Sequence, residues 1–94
     1  MSDIRELILR RRRQLLVHSV IYYRFNENLI SDHMWSQWAI ELEELQKKYP
    51  KEAAEVEWAE AFKDFTHSTG YNLPLEDPWA NGQARWLLRI AGIM

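Results

Sequence analysis

The stretch HSVIYYRFNENLISDHMW, His18 to Trp35, gathers Tyr22, Tyr23 and Trp35, two histidines and Asp32 around one short polar turn. A helical hairpin needs only apolar spacing and a cap, so such a cluster either closes the edge of a core or holds a ligand. A second group is the run Arg10, Arg11, Arg12 and Arg13, whose planar forks suit phosphate. The other reading is a helix surface that complements the acid-rich remainder of the chain, within one molecule or across a dimer. The acid excess favours that reading.

Other constellations point away from catalysis. His18, His33 and His67 are scattered, and none has a strong ligand at the i+4 spacing of a helical metal site, so no metal is expected. His67-Ser68-Thr69-Gly70 resembles a nucleophile only superficially, for no elbow sequence surrounds Ser68. An exposed turn with Gly70 in a left-handed conformation accounts for it. Acidic pairs abound, yet nothing places one in an apolar pocket as a general acid requires. Three glycines in 94 residues leave no phosphate-cradling loop.

The elements that must position these groups are helical. From residue 3 to 25, Ile4, Leu7, Ile8, Leu15, Leu16 and Ile21 recur at helical spacing, with Asp3 and Glu6 as a capping box. The four arginines interrupt that stripe. At about 100° per residue they point in four directions, and Arg11 falls where an apolar residue is due, so it is expected to lean over the core with its head in water. Asn26, Glu27 and Asn28 mark a turn, and Ser31 caps a second helix over 31–49, with Asp32 in its first turn. Trp35, Trp38, Ala39, Leu42 and Leu45 form its inner face. Glu41, Glu43, Glu44, Lys47 and Lys48 form a solvated one, with i,i+4 pairs from Glu43 to Lys47 and Glu44 to Lys48. Pro50 begins a third helix in which Ala54, Trp58, Ala61, Phe62 and Phe65 keep the spacing up to a loop at 66–70. Asp77-Pro78 starts a fourth, carrying Trp79, Trp86, Leu87 and Ile90, with Gly82 weakening its early part.

One all-α domain of four helices over 1–94 follows, with no repeat or linker dividing it. Its core is small, and five tryptophans help to fill it. The absence of cysteine leaves stabilisation to packing, aided by self-association. No apolar run nears the ~20 residues that cross a bilayer, and the arginines follow rather than precede the first apolar stretch, so a cytoplasmic protein without a membrane partner is expected. Residues 1–24 carry +4 and the remainder −6, which argues against global nucleic-acid binding.

HSVIYYRFNENLISDHMWSQWAIELEELQKKYP, residues 18–50, resembles the N-terminal Ia domain of bacterial NAD-dependent DNA ligases, whose pattern runs approximately H-x-x-x-Y-[HY]-x…-I-x-D-x-x-Y-D-x-L-x-x-E-L-x-x-L-E-x-x-x-P. The likeness covers about a third of the chain. It implies an Ia-like helical hairpin over 1–50, extended by further helices over 51–94. In that family the domain grips the nicotinamide mononucleotide half of NAD, and the resemblance places Tyr22, Tyr23, Asp32 and Trp35 at the contact positions. Trp35 stands where the family has tyrosine, and Ser36 where it has aspartate. Nicotinamide in NAD is a flat cation, which stacked aromatics beside a carboxylate would complement. Packing of the hairpin explains the same residues. FKDFTHSTGYNLPLEDPW further resembles small ligase-related phage proteins in which the hairpin stands alone, implying a phage or prophage origin in a bacterial host cell.

Ligase chemistry is not expected, because the lysine-x-Asp-Gly motif is absent: Lys63-Asp64 is followed by Phe65. The two departures favour a non-enzymatic protein-interaction module, binding another protein or itself and requiring no cofactor. The alternative is a domain that binds NAD or nicotinamide mononucleotide. A weaker alternative is accessory DNA contact through the four arginines.

Overall fold

The computed structural model describes residues 3–67 and 72–93. Among them the chain forms four α-helices and no strand: α1 (Asp3–Arg24), α2 (Asp32–Lys48), α3 (Pro50–Glu55) and α4 (Pro78–Ile90). The all-α expectation holds. The capping box at Asp3 rests on a side chain outside those described, and the turn at Gly70 lies outside the described residues.

Helix α1 is the post on which the rest is assembled, for it packs on each of the other three. Its second half is not the single apolar stripe that the spacing predicts. Leu15, Leu16, Val17, Ser19, Val20 and Ile21 are all buried, because α2 and α4 enclose it from different sides. The helix ends where Asn26 takes a left-handed φ of 56° and the Glu27 N–H donates back to the Ile21 carbonyl at 3.1 Å. Asn tolerates that conformation better than most residues. The turn at Asn26–Asn28 is thus a helix stop with a defined geometry.

Helix α2 starts as its sequence dictates, with Ser31 Oγ accepting from the Met34 N–H at 3.0 Å. Ala39 and Leu42 are buried, and Trp35, Trp38 and Leu45 pack beside them. The third helix is much shorter than its apolar spacing predicts. It stops at Glu55, Val56 turns extended, and Trp58 has a φ of +76°; residues 57–64 follow as turns.

The cause is Arg12, which is 1% exposed. Ile8, Arg12, Leu15 and Ser19 follow one another at i+4 and i+3 along the inner face of α1, so Arg12 rather than Arg11 sits in the apolar stripe. Its Nη2 donates to the Ala53 carbonyl at 2.8 Å, and its Nη1 to those of Val56 and Glu57, both at 3.0 Å. Nε and Nη2 also donate to Gln46 Oε1 at 3.0 and 2.8 Å, while Gln46 Nε2 donates to the Phe62 carbonyl at 3.0 Å. All five guanidinium N–H groups are thereby used. The carbonyls of Ala53 and Val56, which a continuing helix would give to its own amides, are taken by Arg12, and the helix ends there. Burial draws the pKa of Arg12 down to about 10, leaving it charged at neutral pH. The head is inside the protein, not in water as expected of the buried arginine.

Helix α4 has the expected start, with Asp77 Oδ2 accepting from the Ala80 N–H at 2.9 Å and Pro78 in the first turn. Its inner face differs from the expectation. Ala80, Ala84 and Leu88 face the core where α4 packs on α1, whereas Trp86 is 53% and Ile90 63% exposed. Asn81 is a buried polar peg: Nδ2 donates to the carbonyls of Leu75 and Asp77, and Oδ1 accepts from Arg24. Trp79, in the first turn of α4, packs against Trp58, with ring centroids 6.0 Å apart.

Candidate functional site

The end of α1, the 27–31 connection and the start of α2 surround a cleft of about 240 Å³. Tyr22, Tyr23, Asp32 and Trp35, the four residues singled out from the sequence, all line it. The helical register brings them together. Ser19, Tyr22 and Tyr23 lie on the last turns of α1, and the Asn26 stop turns the chain so that Asp32, Trp35 and Ser36 face them from the first turns of α2.

Trp35 forms a wall and leaves the cleft open. Its Nε1 donates to Ser19 Oγ at 3.2 Å, which satisfies the polar edge of the indole. Its ring meets Phe65 edge-on, with centroids 6.4 Å apart. Tyr22 and Tyr23 are exposed and stand perpendicular to each other at 4.9 Å. Asp32 lies in the first turn of α2, exposed.

Three titratable lining residues fall outside the four contact positions read from the sequence. Glu27, assigned only to the turn, contributes a second carboxylate. His18 packs its ring at 5.8 Å from Trp38, with Nδ1 buried and unpartnered; burial pushes its pKa below the ordinary histidine value. His67 reaches the rim from the far side of the chain. Both its backbone N–H and its Nδ1 meet Glu43 Oε1 at 2.8 Å, and Lys47 Nζ lies 3.1 Å from Glu43 Oε2. Those bonds hold the Glu43 carboxyl down to about 2, the His67 side chain contributing most. A carboxylate that accepts from Nδ1 fixes a proton on that nitrogen. The only local signal for His67 was its neighbourhood to Phe65, whose place against Trp35 is a tertiary contact.

Histidines scattered in sequence are therefore partly gathered in space, His18 and His67 on one cleft and His33 outside it. Among the described residues no group of three or more potential metal ligands forms. The four arginines do not converge. Arg11 pairs with Glu41 at 2.9 Å and lies over Trp38, Arg13 pairs with Glu57 at 3.2 Å and lies over Trp79, Arg12 is buried, and Arg10 is exposed. Arg5 adds a pair with Glu55. Three members of the run thus spend their charge inside the chain.

The charge of the cleft is one-sided. Asp32 and Glu27 line it, and no lysine or arginine does. Aromatic faces with carboxylates and no fixed cation suit a flat, positively charged ring. Compared with known proteins, the chain matches no family model, no curated protein and no solved structure.

Proposed function

We propose that the chain is a small-molecule-binding module whose cleft takes the cationic nicotinamide ring of a nicotinamide nucleotide. The observation that carries this reading is the lining: Tyr22, Tyr23 and Trp35 with Asp32 and Glu27, and no lysine or arginine. The resemblance of residues 18–50 to ligase Ia domains points to the same four positions. Glu27 adds a second carboxylate to the lining, while Ser36 stands where the resembled family has an aspartate.

Size and charge restrict the ligand. A volume of about 240 Å³ lies below the ~300–1,000 Å³ of drug-sized pockets, enough for the ring and part of its ribose. With no lysine or arginine in the lining, a phosphate has no fixed cationic side chain to pair with inside the cleft and is expected to remain in solvent. Nicotinamide riboside therefore binds at least as well as nicotinamide mononucleotide or NAD.

Titration of the chain with each compound, followed by tryptophan fluorescence and melting temperature, tests this. A saturable shift is expected with all three, weakened about tenfold, or about 1.4 kcal/mol, by Asp32→Ala. Nicotinic acid riboside, whose ring carries a carboxylate in place of the carboxamide, should bind more weakly than nicotinamide riboside. Unchanged fluorescence and melting temperature at millimolar ligand would overturn the reading.

A further inference from the structure

Helix α4 carries a second surface, independent of the cleft. Measured from Trp79 at about 100° per residue, Trp86 and Ile90 fall within about 20° of it, on the side opposite Ala84 and Leu88. Ile93, just past the helix, is exposed as well. A helix apolar on both sides has one core to face and one partner to find. From Pro78 to Ile93 there is no Asp or Glu; the charges are Arg85 and Arg89, both exposed on one flank of the stripe.

We propose that the outward face of α4 docks an acidic amphipathic helix of a partner protein. Two observations select that occupant. Trp79, Trp86, Ile90 and Ile93 are 40–63% exposed and offer roughly 400 Å², about half of the ~800 Å² per side of a standard interface. That area suits one helix laid along α4 better than a second globular copy. Charge separates them further: an antiparallel α4–α4 contact would bring two Arg85–Arg89 flanks together, and in any α4–α4 contact neither helix offers a carboxylate, whereas acidic flanks on a foreign helix would pair with both arginines. Trp86 is the anchor, since exposed tryptophan flanked by arginine is the composition of binding hot spots.

The test uses the full chain and two synthetic helical peptides of about 18 residues, or five turns. They share one leucine stripe and carry either glutamates or lysines on the flanks. The acidic peptide should bind saturably in calorimetry, about tenfold tighter than the basic one. The double variant Arg85→Glu/Arg89→Glu should invert the preference, and Trp86→Ala should weaken the acidic peptide by a similar factor at unchanged melting temperature. The peptide exchange needs no altered protein, so it stands even if a variant fails to fold. Equal affinity for both peptides, or no saturable binding at millimolar concentration, overturns the proposal. So does a concentration-dependent dimer abolished by Trp86→Glu, which would make the occupant a second copy. Retention on phosphatidylglycerol vesicles without affinity for the acidic peptide would make it a lipid surface.

Discussion

The Arg12 network and the cleft are both clusters of polar groups against aromatic rings, and they are built on opposite terms. Around Arg12, every guanidinium N–H finds an acceptor, Gln46 bridges onward to Phe62, and the group lies over the Phe62 ring at 5.8 Å. No donor of the guanidinium is left over. Around the cleft, Tyr22 and Tyr23 keep exposed rings and His18 keeps an unpartnered buried nitrogen. A polar cluster closed on itself is structure; one with capacity to spare can bind.

The largest effect should follow from opening the closed network. Arg12→Met leaves the buried carbonyls of Ala53 and Val56, the half-buried one of Glu57 and Gln46 without donors, and about 3–5 kcal/mol of stability is lost, measured as the urea midpoint at constant slope. Arg12→Lys keeps the charge but supplies three donors for five places, so it should recover less than half of that. Full recovery by lysine would show that charge rather than the fork holds residues 53–62.

On the open cluster the effects should divide differently. Asp32→Ala changes stability by only about 0.5 kcal/mol, while nicotinamide riboside affinity falls about tenfold. Trp35→Phe removes the hydrogen bond to Ser19, costing about 1 kcal/mol, and keeps an aromatic wall, so binding should survive it. A variant in which stability and binding fell together would erase the contrast between the clusters.

Acid titration separates two groups at the cleft margin. The pKa of His18 is lowered by burial in the fold, so the unfolded chain takes up that proton more readily, and stability should fall as pH drops through about 6.5. His18→Phe should remove this first step. Glu43 has its pKa depressed to about 2; its contribution is present above about 4.5 and lost as pH falls towards about 2. Urea midpoints measured from pH 8 downwards, about every half unit, resolve the two steps. The one gain in stability is expected at Gly82, where an added Cβ would meet nothing within 4 Å. Gly82→Ala should raise stability by about 0.5–1 kcal/mol and leave both clusters as they are.

How far the sequence could be read follows from which interactions are local. Ser31, Asp77-Pro78 and the Tyr49-Pro50 break act within one helical turn, and each lies where its residue type puts it. The gathering of Tyr22, Tyr23, Asp32 and Trp35 was legible because it depends on two adjacent helices and a short stop. Arg12 was misread as Arg11 because the stripe can be continued from Leu7 or from Ile8, and only Ile8 is fully buried. The length of α3 was overestimated because spacing over 54–65 says nothing about an arginine 41 residues upstream of Ala53 that claims its carbonyl. Likewise Trp86 and Ile90 are spaced as a core face would be, and periodicity cannot tell which of two apolar faces a helix turns inward.

The bonds of Arg12 to Ala53, Val56 and Glu57 span 41–45 residues of chain. Such long-range bonds need the chain to have come back past Pro50 onto α1, so they are expected to form late in the folding reaction. Weakening them should therefore leave the refolding rate nearly unchanged and raise the unfolding rate. Gln46 and Arg12 act as a latch: they decide less how the domain assembles than how long it stays assembled.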